Sequence, residues 1–235
     1  MPSTIDIHLD ELKAQSNRYK NTPIALCIIE PTSVNDLVNR STSKAAIVAR
    51  ESTIAPTRIV QTWTVDGEFD PGSNRWELPV LNFVLTSSVN LQFYQLFYLR
   101  GANNKPPVSF TSSAINASTD EITLASHGRA NGNEVVITAD GTLPGAIAAD
   151  AQPQIYKVVQ ATTNTFKLSK NGVDVVNFVA GALGSGTFWV KDATGDLCFI
   201  VNNKADDGVT PAIATIATGT SKTYQLELFN RQVLS

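Results

Sequence analysis

Alternating apolar and polar residues dominate this chain, and the alternation predicts β-strands. The strongest signal lies between residues 81 and 101, where aliphatic and aromatic residues occupy both alternating faces from residue 91 to residue 99. A strand that is apolar on both faces is typical of the middle of a sheet that is covered on each side. Apolar runs at 22–31, 45–51 and 57–65 predict further strands.

The amino-acid composition changes after residue 107, where aromatic residues become fewer and glycine, alanine and asparagine become more frequent. Turn residues then recur roughly every 8–14 residues, a spacing typical of a small barrel or sandwich. The strand-like runs between them are EITLA, NEVVITA, QIYKVVQA, TFKLS, VDVVNFV and GTFWVKD. Longer apolar strands return after residue 195, and in the last of them Tyr224, Leu226 and Leu228 share one face of a half-buried strand.

This change of composition predicts two β units, one inserted into the other. Residues 1–107 and 193–235 are expected to form a jelly-roll-like β-sandwich with an N-terminal arm. Residues 108–192 are expected to form a small β-barrel module on a loop of that sandwich. The C-terminal segment contains only about three strands, too few to close a core alone, and the ends of an inserted unit usually lie close together. The predicted fold class is therefore all-β.

Three polar segments carry weaker predictions. Residues 1–22 predict a strand followed by a short amphipathic turn of helix, or an arm that becomes ordered only on a partner. A helical turn capped by Ser33 is expected after the first buried strand. The sequence Asp206-Asp207-Gly208 predicts a turn.

The composition limits the classes of partner that we expect for this chain. Charged residues make up 17% of the 235 residues, below the roughly 25% typical of soluble domains, and the formal net charge is −3. Without an excess of basic residues, the chain has no electrostatic footprint for nucleic acid. No apolar run approaches the roughly 18 residues of a membrane span, and no apolar leader follows Met1. We therefore expect no nucleic-acid partner, no membrane insertion and no signal peptide.

Reactive motifs are scarce. The two cysteines, Cys27 and Cys198, lie within apolar runs and are expected to be buried free thiols. The glycine-rich stretch at 181–186 departs from phosphate-binding loops, because no Lys-Ser/Thr pair and no helix follow it. The sequence has no Gly-x-Ser-x-Gly elbow. No catalytic residue and no cofactor is predicted.

Three carboxylates are the weak candidates for a metal site. Asp66, Glu68 and Asp70 alternate in a stretch that also contains glycine and proline. Carboxylate oxygens suit Ca²⁺, and paired carboxylates also serve glycan hydrolysis. The favoured interpretation is a solvated turn between two strands.

The tryptophans are the candidates for contact with a glycan or a partner. Trp63 and Trp76 flank the acidic stretch, and an exposed indole ring stacks well on a sugar. Packing in a core or an interface is the favoured interpretation. Trp189 is expected on the apolar face of its strand.

His127 lies between two predicted strands, beside Gly128 and before an Asn131-Gly132 pair. Asn-Gly is a strong signal for a tight turn, and glycine adopts positive φ without strain. The only other histidine is His8, in the distant N-terminal arm. His127 is therefore predicted to be a turn residue whose ring bonds the backbone, and not a metal ligand.

Four stretches together resemble a recurring small β module of phage virion proteins. They are ITLASHGRANGNEVVIT (122–138), GTLPGAI (141–147), YKVVQATTNTFKLS (156–169) and GSGTFWV (184–190). The module occurs in tail fibres, baseplates and other particle proteins, and is named for its likeness to the first catalytic cysteine half-domain of ubiquitin-activating enzymes. The resemblance covers about residues 112–191, which contain no cysteine. It therefore implies a fold and a setting, not an activity.

The flanking stretches FYQLFYLRGAN (93–103), TGDLCFIVNN (194–203) and TSKTYQLELFN (220–230) resemble phage tail-fibre and baseplate β-sandwiches in style. The resemblance implies a non-enzymatic virion structural protein, made in the host cytoplasm. Its expected role is a tail-fibre or baseplate subunit that docks on other virion proteins and on copies of itself, as a homo-oligomer and most simply a trimer. Two alternatives stay open, a capsid decoration (cement) protein and a carbohydrate-binding or glycan-degrading protein that contacts a host-surface glycan.

Overall fold

The structure is a computed structural model of the chain. It describes residues 14, 19–30, 37–39, 41–54, 58–72, 75–101, 105–203, 210–226 and 229–231. Among these residues it is mostly β, with several antiparallel sheets and two short helices, which confirms the all-β fold class. Most of the N-terminal arm, the predicted cap at Ser33 and the predicted turn at Asp206-Asp207-Gly208 lie outside the described residues.

The elements follow one another in chain order. The strands before residue 101 are β1 (Pro23–Ile28), β2 (Ile59–Thr62), β3 (Glu68–Asp70), β4 (Arg75–Glu77), β5 (Leu81–Thr86), β6 (Leu91–Phe93) and β7 (Gln95–Arg100). The next are β8 (Val108–Thr111), β9 (Ile115–Asn116), β10 (Glu121–Thr123), β11 (Glu134–Ala139), β12 (Ile155–Val159), β13 (Thr165–Ser169) and β14 (Thr187–Asp192). The last are β15 (Asp196–Asn202), β16 (Ala214–Ile216), β17 (Ser221–Leu226) and β18 (Phe229–Arg231). The helices are α1 (Lys44–Ala49) and α2 (Gly145–Ala148).

The strands after residue 195 pair with strands before residue 101. β15 pairs with β7, β16 with β6, β17 with β5 and β18 with β4, all antiparallel. Arg100 and Asp196 are cross-strand partners, so the chain leaves β7 and re-enters β15 at neighbouring positions. Gly195 is required there, because its φ is +94° and a Cβ would lie 2.4 Å from the Arg100 carbonyl oxygen. The division into residues 1–107, 108–192 and 193–235 stays a prediction, with its boundaries between β7 and β8 and directly after β14.

The sandwich is organised around a four-stranded sheet of order β15-β7-β1-β2. Side chains alternate between its faces, so that Ile24, Leu26 and Ile28 of β1 point into one core while Ala25 and Cys27 point into another. Strand β7 lies between β15 and β1, and residues 95–99 are all buried. This confirms the central strand that the apolar pattern on both faces predicted, although Tyr94 separates it from β6.

The first of these cores, which we call the sandwich core, lies between the four-stranded sheet and the strands β5, β6, β16 and β17. Phe83, Phe93 and Tyr98 are almost completely buried there. On β17, Leu226 is buried and Tyr224 is half-buried, whereas Thr223 and Gln225 are exposed. The predicted half-buried strand is therefore confirmed for its described residues.

Residues 108–192, which we call the module, form one seven-stranded sheet of order β8-β14-β11-β12-β13-β10-β9. The module core is a separate apolar cluster that includes Ile122, Tyr156, Phe166 and Phe188. The expected barrel closure is not found in the described residues, because β8 and β9 remain at opposite ends of the order. Strand β9 pairs with β10 over only two positions.

Two predicted strands are wrong. The run at 45–51 forms helix α1, whose Ser43 side chain accepts a hydrogen bond from the amide of Ala46. An N-cap serine and consecutive alanines favour a helix, and a short apolar run alone does not distinguish a helix from a strand. The run at 173–179 forms only a single bridge, between Ser169 and Val175.

Candidate functional site

The three predicted carboxylates reach the same cleft but do not converge. Asp66 pairs with Lys20, with 2.8 Å between Oδ1 and Nζ, and Asp70 accepts a hydrogen bond from an amide of its own turn. Together with Glu68 they line an open cleft of about 630 Å³ beside β3. The described residues contain no group of three or more histidine, cysteine or acidic side chains arranged to hold a metal ion.

The tryptophans have different surroundings. Trp63 is 1% exposed and its indole N–H donates to the carbonyl oxygen of Pro79 at 2.5 Å, so its ring has no face available for a sugar. Trp76 is half-buried on β4, against Gly67. Trp189 is not on the core face of β14, since its neighbours Phe188 and Val190 point into the module core. The structure therefore does not assemble a tryptophan platform from these three residues.

The contact between the module and the sandwich contains a buried arginine, Arg58, whose side chain is 1% exposed. Its Nε and Nη2 atoms donate to the two carboxylate oxygens of Glu51, at 2.7 and 2.6 Å. Nη2 also donates to the carbonyl oxygen of Asp192 at 2.6 Å, and Nη1 lies 3.8 Å from the carboxylate of Asp192. A buried bidentate pair is directional and weakly screened. One guanidinium thus joins the segment before β2 to the end of β14.

Lys191 makes a second buried connection. Its ammonium donates to the carbonyl oxygens of Ala49 and Glu51, both at 2.6 Å, where helix α1 ends. Carbonyl groups at a helix C-terminus lack helical partners and attract cations. Burial disfavours the charged form and lowers the pKa of Lys191.

Asp192 holds both segments through which the chain enters and leaves the module. Its carboxylate accepts a hydrogen bond from the amide of Thr194 at 3.0 Å and another from the amide of Lys105 at 3.2 Å. The residue is completely buried. We call Glu51, Arg58, Lys191 and Asp192 the junction charges.

An apolar layer, the junction core, accompanies the junction charges. It covers the second face of the four-stranded sheet and combines residues from several parts of the chain. They are Ala25, Cys27, Phe97 and Leu99 from the sheet, Ile29 directly after β1, Val38 from the segment before α1, Ala45, Ile47 and Val48 from α1, and Val136 and Ala193 from β11 and the segment after β14. The module is therefore packed on the sandwich through a shared core.

Cys27 belongs to this layer. It is a free thiol, and burial raises its pKa well above the usual range, so it is neutral at physiological pH. The predicted buried free thiol is confirmed for Cys27. The side chain of Cys198 lies outside the described residues.

His127 is 4% exposed and has a structural role in the module. Its Nδ1 accepts a hydrogen bond from the amide of Arg129 at 3.0 Å, so Nε2 carries the proton and donates to the carbonyl oxygen of Thr165 at 3.2 Å. Burial lowers the pKa of His127. The prediction of a turn residue whose ring bonds the backbone is confirmed.

Arg129 continues the hydrogen bonds of His127 towards the contact between the module and the sandwich. Its guanidinium donates to the carbonyl oxygens of Val190 and Pro106, at 3.0 and 3.3 Å. Burial lowers its pKa to about 10. Sequence reasoning missed Arg129 and the junction charges. For the junction charges the available signal was their position at the ends of apolar runs, whereas Arg129 lies in a polar turn and gave no such signal.

No family model matches the chain, and the comparisons with curated proteins and with solved structures found no match. Among the described residues, no helix is long and apolar enough to cross a membrane.

Proposed function

We propose that this chain is a non-enzymatic structural subunit of a bacteriophage particle, in a tail fibre or a baseplate. The sandwich forms a platform, and the module is presented on the outer side of its main sheet. The sequence resemblance of the module to particle proteins supports the setting. The construction of the junction supports the mechanical role.

The observation that carries the proposal is the junction. An inserted unit on two flexible strands is free to pivot, whereas this module shares an apolar core with the sandwich. Arg58 and Lys191 add hydrogen bonds of 2.6–2.7 Å across the same contact. These groups donate to the carboxylate of Glu51 and to backbone carbonyl oxygens, whereas Nη1 of Arg58 is buried without a hydrogen-bond partner among the described residues. Such an arrangement transmits force and fixes orientation, which an assembly subunit needs.

Location on the particle tests the proposal. Antibodies raised against the purified chain, detected by gold particles in electron microscopy of purified virions, are expected to label the tail or its end. Labelling of the capsid would overturn the tail assignment in favour of the decoration role. Particles that carry no label, together with immunoblots in which neither intact nor denatured virions contain the chain, would overturn the virion role as a whole.

Glycan binding has less support, because Trp63 is buried and the carboxylates of the cleft do not converge. Binding on a glycan array that is lost in Trp76→Ala, with the fold intact, would restore it.

A further inference from the structure

A second cleft, which we call the amide cleft, lies on the module and has a volume of about 470 Å³. Both Asn-Gly pairs of the chain line it, at 131–132 and at 171–172. The rest of its described lining comes from β12 and the residue directly after that strand, and consists of Lys157, Val159 and Gln160. The volume is within the range of small-molecule sites. The amide cleft shares no residue with the open cleft beside β3.

The first Asn-Gly pair is fixed beside β12 by two hydrogen bonds of 2.8 Å. The amide of Gly132 donates to the carbonyl oxygen of Val158, and Oδ1 of Asn131 accepts from the amide of Ala161. Because Oδ1 is used in this way, Nδ2 is the atom of the exposed Asn131 side chain that can donate to a ligand.

The second Asn-Gly pair is fixed by hydrogen bonds within its own bend. Oδ1 of Asn171 accepts from the amides of Val173 and Asp174, both at 2.9 Å, and Nδ2 donates to the carboxylate of Asp174 at 2.7 Å. The amide of Gly172 donates to Oγ of Ser169 at 2.9 Å. This pair therefore forms a preorganised wall of the cleft, and a ligand pays little to order it.

Lys157 supplies the positive charge of the amide cleft. Its side chain lies against Gly172, where a Cβ would be 3.2 Å from Cδ and 3.9 Å from Nζ of the lysine. Glu134 is opposite Lys157 on β11, but its carboxylate is paired with Lys44 at 2.6 Å. Within the described part of the chain, no carboxylate forms an ion pair with Lys157. Its ammonium is therefore available to an anionic group of a ligand.

These groups define the chemistry of the ligand. An ammonium forms a strong, charge-assisted hydrogen bond with a carboxylate. The exposed amides of Asn131 and Gln160 suit hydroxyl groups, which both donate and accept. Among the described residues that line the cleft, Val159 is the only apolar side chain, so a mainly aliphatic or aromatic ligand would bury little surface here. A single cation matches a single negative charge.

We propose that the amide cleft binds a saccharide unit that carries one carboxylate, as uronic acids do. The carboxylate pairs with Lys157, and ring hydroxyls bond Nδ2 of Asn131 and the amide of Gln160. The inference goes beyond the proposed function, because the purified chain binds such a sugar whether or not it is a virion subunit.

Two-dimensional proton–nitrogen correlation NMR of the isotope-labelled full-length chain tests the site. Sodium glucuronate is the probe and glucose is its neutral counterpart. Glucuronate is expected to shift the amide signals of Gly132, Gln160 and Gly172, with a dissociation constant on the order of 1 mM, as suits a ligand of this size. Glucose lacks the carboxylate and is expected to bind roughly tenfold more weakly. This comparison uses the wild type and does not depend on the folding of any variant.

Substitutions assign the contacts. Lys157→Met removes the cation and keeps an unbranched side chain over Gly172, and it is expected to weaken glucuronate binding roughly tenfold while leaving glucose binding unchanged. Lys167→Met is the matched control, since Lys167 is a half-buried lysine on the neighbouring strand β13 that does not line the cleft. It is expected to bind both sugars as the wild type does. Gln160→Gly removes the amide at a residue with φ of +49°, which glycine adopts without strain, and is expected to weaken both sugars.

Three results would each overturn the proposal. They are unshifted signals at about 20 mM glucuronate, which is well above the expected constant, equal binding of glucose and glucuronate, and equal losses in Lys157→Met and Lys167→Met. Acetate or inorganic phosphate that binds as tightly as glucuronate would show an anion site without a sugar, and would overturn the assigned class of ligand. All of these outcomes are independent of the labelling of virions, which tests the proposed function.

Discussion

Strand pairing in the module joins segments of one continuous stretch, whereas four strand pairings in the sandwich join the two ends of the chain. Within the module, the widest pairing is that of β8 with β14, which brings Val108 opposite Val190. In the sandwich, β4 pairs with β18 and β5 with β17, across the whole module. Pairing over long separations costs more chain entropy before it gains contacts. The module core is therefore built from one continuous stretch of the chain, whereas the sandwich core needs residues from both ends of the chain.

The two units also differ in how they depend on each other. The module core is built only from residues 110–190. The main sheet of the sandwich has apolar residues on both faces, and its second face is covered by Val38 and α1 together with Val136 and Ala193. The module thus completes the burial of this face, and we expect the dependence to be one-sided.

The largest expected effect is the removal of the module. Deleting residues 102–194 leaves Gly101 and Gly195 between Arg100 and Asp196, which are already cross-strand partners. Both glycines have positive φ, +82° and +94°, as a two-residue hairpin turn requires. The hairpin is therefore expected to close, but the face of Phe97 and Leu99 keeps the cover of α1 and loses that of Val136 and Ala193. A large apolar side chain costs about 1.5–3 kcal/mol when fully exposed, and the buried Arg58 also loses its contacts with Asp192. We therefore expect a loss of roughly 5 kcal/mol in the free energy of unfolding, or aggregation.

The reciprocal fragment is the control. Residues 105–192 alone are expected to unfold cooperatively in urea, with circular dichroism of a β protein. An isolated sandwich as stable as the full chain, or an unfolded module fragment, would contradict the one-sided dependence.

The next effect concerns the junction charges. Arg58→Met leaves the carboxylates of Glu51 and Asp192 buried without their cation, and breaking a buried pair in this way costs about 3–5 kcal/mol. Urea denaturation at neutral pH measures the change. Lys20→Met is the matched control, because it removes a cation from Asp66, whose side chain is 51% exposed. Exposed pairs contribute about 0–1 kcal/mol. Equal effects of the two substitutions would show that the junction charges add little.

The sequence predicts those parts of the fold that depend on alternation. Strand β7 is recognisable because burial on both faces leaves apolar residues at successive positions. The carboxylates at 66, 68 and 70 share a cleft because alternate residues of an extended segment point to the same side. The same reasoning does not separate a short apolar strand from a short helix, and α1 was missed for that reason.

The junction escapes prediction for a different reason. Arg58 and Glu51 are close in sequence, but the Asp192 carbonyl that Arg58 also binds is 134 residues away. Nothing in the local pattern around Lys191 indicates that its partners are the carbonyl groups at the end of α1. Such pairings follow from the packing of distant segments, so they are read only from the structure.

The smallest expected effect comes from two adjacent residues of β11 that belong to different cores. Val135 and Val136 are adjacent on β11 and completely buried, but Val135 points into the module core and Val136 into the junction core. In the full chain, each Val→Ala substitution is expected to lower the free energy of unfolding by about 2 kcal/mol, since each removes two buried methyl groups. In the fragment 105–192, Val135→Ala is expected to keep this cost, while Val136→Ala becomes nearly neutral because its cover is gone. Urea denaturation of the four variants measures the difference, and equal costs in the fragment would mean that the second face of β11 does not depend on the sandwich.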